Sequence, residues 1–227
     1  MQYILTTGWE DGVADLTERL VRELAASRRV LWLVSGGSNV PASVQIMDNI
    51  PSKLKTSLGV MPADERYGPP GHKDSNWAQL MKAGFKPGKA TLLPVLQDNL
   101  SFEQTISSYD KLANQAFGDY EVIIAQLGIG DDGHIAGILA GSPAVGDTPA
   151  LATGYRSPPL SRLTLTFAGL RRVNAAYAFA FGNTKHRALS SLRDQTLALK
   201  QQPAQILKEL PEAYIYSDQF GEEETVQ

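Results

Sequence analysis

Apolar residues along this chain follow two recurring spacings. Between positions 13 and 24 they recur at i, i+3 and i+4, which predicts an amphipathic helix. A continuous apolar run at 30–34 predicts a buried strand, and it ends in the glycine loop Ser35-Gly36-Gly37-Ser38. A second helix is predicted to begin near Pro41. The first part of the chain therefore reads as helix, strand, glycine loop and helix.

The same alternation continues to the end of the chain. A strand is predicted near Tyr3, and the Gly- and Pro-rich span 141–159 is predicted to be a long loop. The other predicted elements are strands at 58–61, 122–127, 163–167, 175–181 and 213–216 and helices at 102–116 and 185–193. Strands that alternate with helices predict an α/β fold, a single domain with a mostly parallel sheet and helices on both faces, in a Rossmann-like arrangement.

Length and charge narrow the function classes. With 227 residues and 43% hydrophobic content, the chain can bury a full core, and we expect one domain at 1–220 with a flexible acidic tail at 221–227. The net charge of -3 gives no general attraction to nucleic acid or to an anionic membrane, so neither is expected as a partner.

The cysteine content and the hydropathy of the chain indicate where in the cell the protein is expected. The chain has no cysteine, which excludes disulfides, thiolate metal sites and cysteine nucleophiles. No apolar run approaches the roughly 20 residues that cross a bilayer, and the first residues lack a secretory pattern. The expected location is the cytoplasm.

The turn Leu127-Gly-Ile-Gly-Asp-Asp-Gly-His134 carries the most chemistry in the chain. It follows the predicted strand 122–127, and in open α/β sheets ligands bind at the carboxyl ends of the strands. A neutral imidazole at His134 can take a proton from water, and the neighbouring Asp132 can orient the ring. His72 and His186 are predicted to be exposed and structural.

Gly128, Gly130 and Gly133 also match the dinucleotide fingerprint G-x-G-x-x-G. That use requires a helix opening at the last glycine and an acidic residue about 20 positions further on. The segment after His134 is interrupted by glycines and a proline that leave room for at most two helical turns, and Asp147 lies in a loop. A catalytic loop is therefore favoured over a dinucleotide site.

Asp64-Glu65-Arg66 follows the predicted strand 58–61, so these side chains are expected to reach the same crevice as His134. A surface cluster of ion pairs is the alternative. A metal site that combines Asp64 and His134 with Asp131 and Asp132 lacks a recognised ligand spacing, so no metal is expected.

The glycine loop 35–38 lies between a strand and a helix, where backbone N–H groups and the helix dipole favour an anion. Arg162 and Lys185 each adjoin a predicted strand end and could neutralise a phosphate there. An ordinary turn and solvated surface charges are the alternatives. Position within a larger motif decides between them.

Five motifs, taken together and in order, resemble the 6-phosphogluconolactonase family, and the resemblance covers nearly the whole chain. They are Ser35-Gly-Gly-Ser, Asp64-Glu65-Arg66 with Ser75-Asn76, Gly128-x-Gly-x-Asp-Gly-His134, Arg162-Leu-Thr-Leu-Thr and Gly182-x-x-Lys185. The fold implied is of the sugar-phosphate isomerase/lactonase type. Glucosamine-6-phosphate isomerase/deaminase shares this fold and is the first alternative.

Two positions separate the two activities. The isomerase-like pattern has Asp-Glu-Tyr where this chain has Asp64-Glu65-Arg66, and a catalytic Glu where this chain has Leu139. Ring opening and isomerisation need additional acid–base groups, and an apolar Leu139 cannot serve. Arg66 and Asn76 also resemble the lactonase pattern.

The resemblance implies hydrolysis of 6-phospho-D-glucono-1,5-lactone to 6-phospho-D-gluconate in the oxidative pentose phosphate pathway, without a cofactor. The catalytic residues it implies are His134 as base, Asp132 as its orienting partner, Arg66 for the oxyanion or the sugar hydroxyls, and Asp64 for sugar hydroxyls. The substrate-binding residues it implies are Gly36, Gly37, Ser38, Asn39, Asn76, Arg162 and Lys185. The expected partner is a small sugar-phosphate lactone, and the expected assembly is a monomer or homodimer.

A sugar-phosphate sensor without turnover is the second alternative, since this fold also serves as a ligand-sensing domain. Such regulators normally carry an attached DNA-binding segment, and this chain starts with the strand near Tyr3. The chain also departs from the family pattern. Asn39-Val40 stands before Pro41 where lactonases read Thr-Pro, which lengthens the loop by one residue, and 135–140 replaces the usual Thr-Ala-Ser-Leu-Phe-Pro.

Overall fold

A computed structural model describes residues 1–220 of the chain, so the acidic tail predicted at 221–227 lies outside the described residues. The strands are β1 (Gln2–Leu5), β2 (Val30–Val34), β3 (Leu58–Pro62), β4 (Asp64–Arg66), β5 (Thr91–Leu92), β6 (Val122–Gly128), β7 (Ala152–Ser157), β8 (Leu160–Leu165), β9 (Ala175–Phe179) and β10 (Glu212–Ser217). The helices are α1 (Glu10–Ala25), α2 (Val40–Asn49), α3 (Asn76–Lys82), α4 (Phe102–Asp119), α5 (Phe167–Leu170) and α6 (His186–Asp194).

Seven strands form one parallel sheet in the order β1-β10-β9-β6-β2-β3-β5. Strand β2 shows why both faces must be covered, since its five residues are all buried. Leu31 and Leu33 pack into the core that contains α4, and Trp32 packs into the core that contains α1 and α2. The alternation places successive side chains on opposite faces. The predicted α/β fold with helices on both faces is confirmed.

The ends of helix α4 follow from local hydrogen bonding. Ser101 Oγ accepts from the Gln104 backbone N–H, and the Gln104 side chain accepts from the Ser101 N–H, which closes a capping box before Phe102. The predicted start at 102 is confirmed. The helix continues to Asp119, beyond the predicted end at 116.

The prediction of a long loop at 141–159 was wrong in part, because this span contains β7. This strand pairs antiparallel with β8, and β8 pairs antiparallel with β4, so the three form a second sheet. Asp110 of α4 anchors the start of β7, since its Oδ1 accepts from the backbone N–H groups of Leu151 and Ala152 at 2.7 and 3.0 Å. Tertiary contacts, and not an apolar run, define this strand.

The predicted strand at 163–167 is also shifted. It begins at Leu160 and ends at Leu165, because the Thr166 side chain accepts from the Gly169 N–H and caps the short helix α5. The strand predicted at 175–181 ends at Phe179, and α3 and β5 were not predicted. Within residues 1–220, no helix has both the length and the hydropathy needed to cross a membrane.

The strand order reverses between β2 and β6. From β2 the chain crosses over to β3 on one side, and from β6 it crosses over to β9 on the other. The loops after these two strands therefore lie side by side at the carboxyl edge, the topological switch point where α/β sheets bind ligands. A Cβ on Gly128 would lie 2.7 Å from the Asn39 amide nitrogen, which shows how closely the two loops approach.

Candidate active site

A crevice opens at this switch point, with about 590 Å³ of empty space that includes open solvent. The structure brings ten of the eleven predicted site residues to its walls, and these are Gly36, Gly37, Ser38, Asn39, Asp64, Arg66, Asn76, His134, Arg162 and Lys185. The eleventh, Asp132, lines a second cavity and contacts His134. The catalytic or binding role of each residue stays a prediction.

Asp132 and His134 form a hydrogen-bonded pair in the loop after β6. Asp132 Oδ1 lies 2.6 Å from His134 Nδ1 and also accepts from the His134 backbone N–H at 3.1 Å. Two bonds from one carboxylate oxygen set both the backbone and the ring of His134. The proton of this pair belongs on Nδ1, because a carboxylate accepts only, so Nε2 is left as the basic nitrogen.

The pKa of Asp132 supports this description. Partial burial raises it, but the bonds from the His134 backbone and ring and the charge of that ring outweigh burial, so the pKa lies below its ordinary value. Asp132 is therefore a carboxylate at neutral pH. His134 Nε2 has no hydrogen-bond partner within residues 1–220, and the ring lines the crevice.

Glycines in this turn make room for the pair. A Cβ on Gly130 would overlap His134 Nδ1 and would lie 2.6 Å from Asp132 Oδ1. Gly133 has a φ of +78°, a left-handed conformation that favours glycine, and Gln202 packs against its Cα. The turn is closed by the Gly130 N–H, which donates to the His134 carbonyl at 2.9 Å.

Strand β4 divides its three side chains between two environments, because alternate residues of a strand face opposite sides. Asp64 and Arg66 face the crevice, as predicted. Burial raises the pKa of Asp64, against the charges of Arg66, Arg162 and His134 and a hydrogen bond from Asn76. The Asn76 side chain donates to Asp64 Oδ2 at 3.1 Å.

Glu65 faces the other way and holds the start of helix α3. Its carboxylate is fully buried, and it accepts from four donors, namely the N–H groups of Arg66, Asn76 and Trp77 and the Ser75 hydroxyl, at 2.6 to 3.0 Å. Burial raises the pKa of Glu65, and these bonds oppose that effect. Sequence reasoning placed Glu65 in the crevice as one of a cluster and missed this supporting role. Strand alternation could have indicated it.

Two arginines lie side by side on one face of the second sheet. Arg66 of β4 is the register partner of Arg162 of β8, so both side chains point to the same face. The Nε atoms of both are buried without a hydrogen-bond partner within residues 1–220. No salt bridge in that part of the chain involves Arg66, Arg162 or Lys185. The walls of the crevice thus carry three cationic side chains, and Asp64 is the acidic side chain among the lining residues that faces the two arginines.

The loop after β2 forms the opposite wall. Gly37 has a φ of +63°, and a Cβ on Gly36 would overlap the Asn76 side chain, so both positions favour glycine. The loop runs directly into helix α2, whose first residue Val40 precedes Pro41. The hydroxyl of Ser35, a wall residue that was not predicted, is buried and has no partner within residues 1–220.

The segment after His134 is clamped by the second sheet. The Thr164 hydroxyl lies against the Ala136 carbonyl, and the Tyr155 hydroxyl donates to the Gly137 carbonyl at 2.7 Å. Leu139 packs partly buried against the core, so no carboxylate projects there. Thr164 and Tyr155 were not predicted, because their role depends on strands whose pairing no local pattern indicates.

The remaining candidates lie apart from the crevice. Asp131 lines a separate cavity together with Arg187 and Gln202. His72 is half-buried, with Nε2 2.9 Å from the Arg66 carbonyl, and His186 is exposed at the start of α6. Within residues 1–220, no three His, Asp or Glu side chains are grouped as metal ligands would be.

Known proteins are similar to this chain in sequence and in fold. A curated 6-phosphogluconolactonase of Pseudomonas aeruginosa is 30% identical over 191 residues, which cover 78% of this chain and 77% of that protein. One of Synechocystis is 24% identical over 224 residues, covering 94% and 92%. The solved structure of 6-phosphogluconolactonase from Trypanosoma cruzi has a TM-score of 0.79 at 20% identity, covering 99% of this chain and 97% of the other, and it shares the fold.

The family assignment rests on the match along the chain. The family model described as "Glucosamine-6-phosphate isomerases/6-phosphogluconolactonase" matches residues 9–215, which include every predicted site residue. The family resemblance stated from the motifs is therefore confirmed. The chain belongs to the family of glucosamine-6-phosphate isomerases and 6-phosphogluconolactonases.

Proposed function

We propose that this chain hydrolyses 6-phospho-D-glucono-1,5-lactone to 6-phospho-D-gluconate. The observation that carries the proposal is one crevice where His134, paired with Asp132, lies together with three cations that form no ion pair within residues 1–220, namely Arg66, Arg162 and Lys185. A base for water and a cationic site for a phosphate are the two things that a phosphorylated lactone requires. The curated relatives of Pseudomonas aeruginosa and Synechocystis carry the name of this activity.

Water attack is the first step of the proposed reaction. His134 Nε2 takes a proton from water as the water oxygen bonds to the lactone carbonyl carbon, and the carbonyl π electrons move to its oxygen. Asp132 stabilises the imidazolium through the Nδ1–H bond of 2.6 Å. Arg66 stabilises the negative oxygen of the tetrahedral intermediate.

Ring opening is the second step. The carbonyl re-forms, the bond between the carbonyl carbon and the ring oxygen breaks, and the imidazolium returns its proton to that oxygen. The products are a free hydroxyl and a carboxylic acid, which ionises and releases one proton to the solvent. Asp64, with Asn76 bound to its Oδ2, would accept hydrogen bonds from the sugar hydroxyls.

The phosphate would lie at the glycine loop. Backbone N–H groups of Gly36 and Gly37 and the Ser38 hydroxyl provide donors, Arg162 and Lys185 provide charge, and the dipole of α2 adds to both. Ser35, whose buried hydroxyl has no partner within residues 1–220, joins this set. The roles of Asn39 and Asn76 in binding belong to the same proposal.

Lactone hydrolysis is favoured over the isomerase chemistry that occurs in the same family. Isomerisation requires a further acid–base group in the segment after His134, and Leu139 packs against the core there. A cytoplasmic location and a monomeric or homodimeric state are kept as predictions.

The test compares two substrates. Hydrolysis of freshly prepared 6-phosphogluconolactone, coupled to oxidation of the product, is measured beside conversion of glucosamine 6-phosphate. Turnover of the lactone alone is the expected result. Turnover of the amino sugar, or thermal stabilisation by 6-phosphogluconate without any turnover, would indicate the isomerase or the sensor instead.

A further inference from the structure

Gln126 is a polar residue inside an apolar strand. It lies in β6 between Ala125 and Leu127, and its exposed fraction is 0%. A buried amide destabilises the fold unless it is hydrogen-bonded, so its partners indicate why it is there. These partners are Ser43 of α2 and Asn39 of the loop after β2, and none belongs to Gln126's own strand.

The hydrogen bonds determine how the Gln126 amide is turned. Its nitrogen donates to the Asn39 carbonyl at 3.2 Å, and its oxygen lies 2.8 Å from the Ser43 hydroxyl. The opposite orientation would set an oxygen against the Asn39 carbonyl, with two acceptors and no hydrogen between them. The amide nitrogen of Gln126 therefore faces Asn39.

The same logic turns the Asn39 side chain. Its Oδ1 lies 3.5 Å from the Gln126 nitrogen, so the Asn39 oxygen faces inward and the amide nitrogen faces Gly128. That nitrogen has no hydrogen-bond partner within residues 1–220, and Asn39 lines the crevice. Asn39 is 3% exposed, so its amide has little freedom to turn.

We propose that Gln126 is a positioning residue for the phosphate site, which points the Asn39 amide N–H groups into the crevice as donors to the substrate phosphate. The inference rests on the proposed function. It assigns a role to the lengthened loop. Asn39 stands where lactonases have a threonine, and an amide, unlike a hydroxyl, donates from only one of its two ends, so its orientation must be fixed. Ser43 supports the same arrangement, because its hydroxyl lies 2.8 Å from the Gln126 oxygen and 3.1 Å from the Asn39 carbonyl.

The experiment measures KM and kcat of Gln126→Leu on 6-phosphogluconolactone and on unphosphorylated glucono-1,5-lactone. Loss of one bond to a charged group corresponds to about a tenfold rise in KM for the phosphorylated substrate. The kcat for the phosphorylated substrate is expected to stay unchanged, and so are kcat and KM for the unphosphorylated lactone. Equal losses on both substrates, or an unchanged KM, would overturn the proposal.

A second variant guards against misfolding of the first. Ser43→Ala removes a hydroxyl that contacts both the Gln126 oxygen and the Asn39 carbonyl, and about a threefold rise in KM for the phosphorylated substrate is expected. Asn39→Ala should raise KM as Gln126→Leu does, and the double variant should add little, because one interaction is removed twice. Additive effects would count against the proposal.

Thr105→Val is the matched control. It also removes a buried side-chain hydrogen bond to a backbone carbonyl, that of Ser101, but in helix α4. Its KM should equal that of the wild type. The dissociation constant of inorganic phosphate, measured by calorimetry, tests the positioning role of Gln126 separately from the proposed lactone hydrolysis. Weaker phosphate binding in Gln126→Leu supports the positioning role even if the wild type hydrolyses no lactone, and unchanged phosphate binding contradicts it.

Discussion

Arg66 and Arg162 are directly opposed on neighbouring antiparallel strands, and neither forms a salt bridge within residues 1–220. Like charges in this position destabilise a sheet. The fold therefore carries a local electrostatic cost at the crevice that a bound anion would relieve. The first prediction follows from this relationship.

Replacing Arg162 by Met should weaken substrate binding without weakening the fold. Loss of a charge-assisted contact corresponds to a rise in KM of about 10- to 100-fold. The melting temperature without ligand should change little, because relief of the repulsion with Arg66 and loss of the attraction to Asp64 oppose each other. Differential scanning fluorimetry with and without inorganic phosphate, beside the kinetic assay, measures both effects.

Arg156→Met provides the comparison, since Arg156 lies in the same sheet but is exposed and close to Glu103. Its KM should not change. If Arg162→Met lowers the melting temperature strongly and leaves KM unaltered, Arg162 serves the fold and not the substrate.

Asp64→Asn should stabilise the protein at neutral pH while it reduces activity. Burial raises the pKa of Asp64 above its ordinary 3.8, so the folded chain keeps this proton to a higher pH than the unfolded chain does. The stability contributed by such a group is complete below the unfolded-state pKa and is lost as pH rises through the folded-state pKa. Asparagine stays neutral throughout and avoids that loss.

The corresponding measurement is the melting temperature of both proteins as a function of pH. The advantage of Asp64→Asn should shrink as the pH falls toward 3.8. An advantage that grows on acidification would mean that the folded state lowers the pKa of Asp64.

Glu65→Gln should destabilise the protein. A carboxylate accepts all four bonds that Glu65 receives, but an amide must present its NH2 group to some of the same donors. Leaving buried donors unpaired is expected to lower the free energy of unfolding by about 2 kcal/mol, as urea titration would show. Glu103→Gln, at an exposed position, should change it by less than about 0.5 kcal/mol.

Gly130→Ala should abolish most activity, because the added Cβ would overlap the His134 ring and separate it from Asp132. Gly118→Ala is the control, since a Cβ there meets nothing within 4 Å and the position lies in α4. It should stabilise the fold by up to about 1 kcal/mol at full activity. Similar kinetics for both variants would show that the turn tolerates a side chain.

The parallel sheet could be predicted because its strands are apolar and end in glycine loops, as β2 and β6 do. Their carboxyl ends meet at one edge, so Ser38 and His134 could be expected in one crevice. The second sheet could not be predicted in the same way. Its strand β7 has few apolar residues and depends on Asp110 of a distant helix.

Pairing between strands explains the remaining differences. That Arg66 faces Arg162 follows from the register of β4 with β8, which no local pattern indicates. Gln126 likewise interrupts an apolar run, and only the position of Asn39 shows what it binds. These residues depend on partners far away in the sequence, so spacing along the chain did not reveal their roles.

The central claim is that His134 activates water for hydrolysis of a phosphorylated lactone. The most direct measurement is the rate of acid release from freshly prepared 6-phospho-D-glucono-1,5-lactone by the wild type and by His134→Ala, each corrected for spontaneous hydrolysis. The wild type should accelerate release, and the variant should be slower by about 10²- to 10⁴-fold in kcat. An unchanged rate in a folded His134→Ala protein would contradict the account.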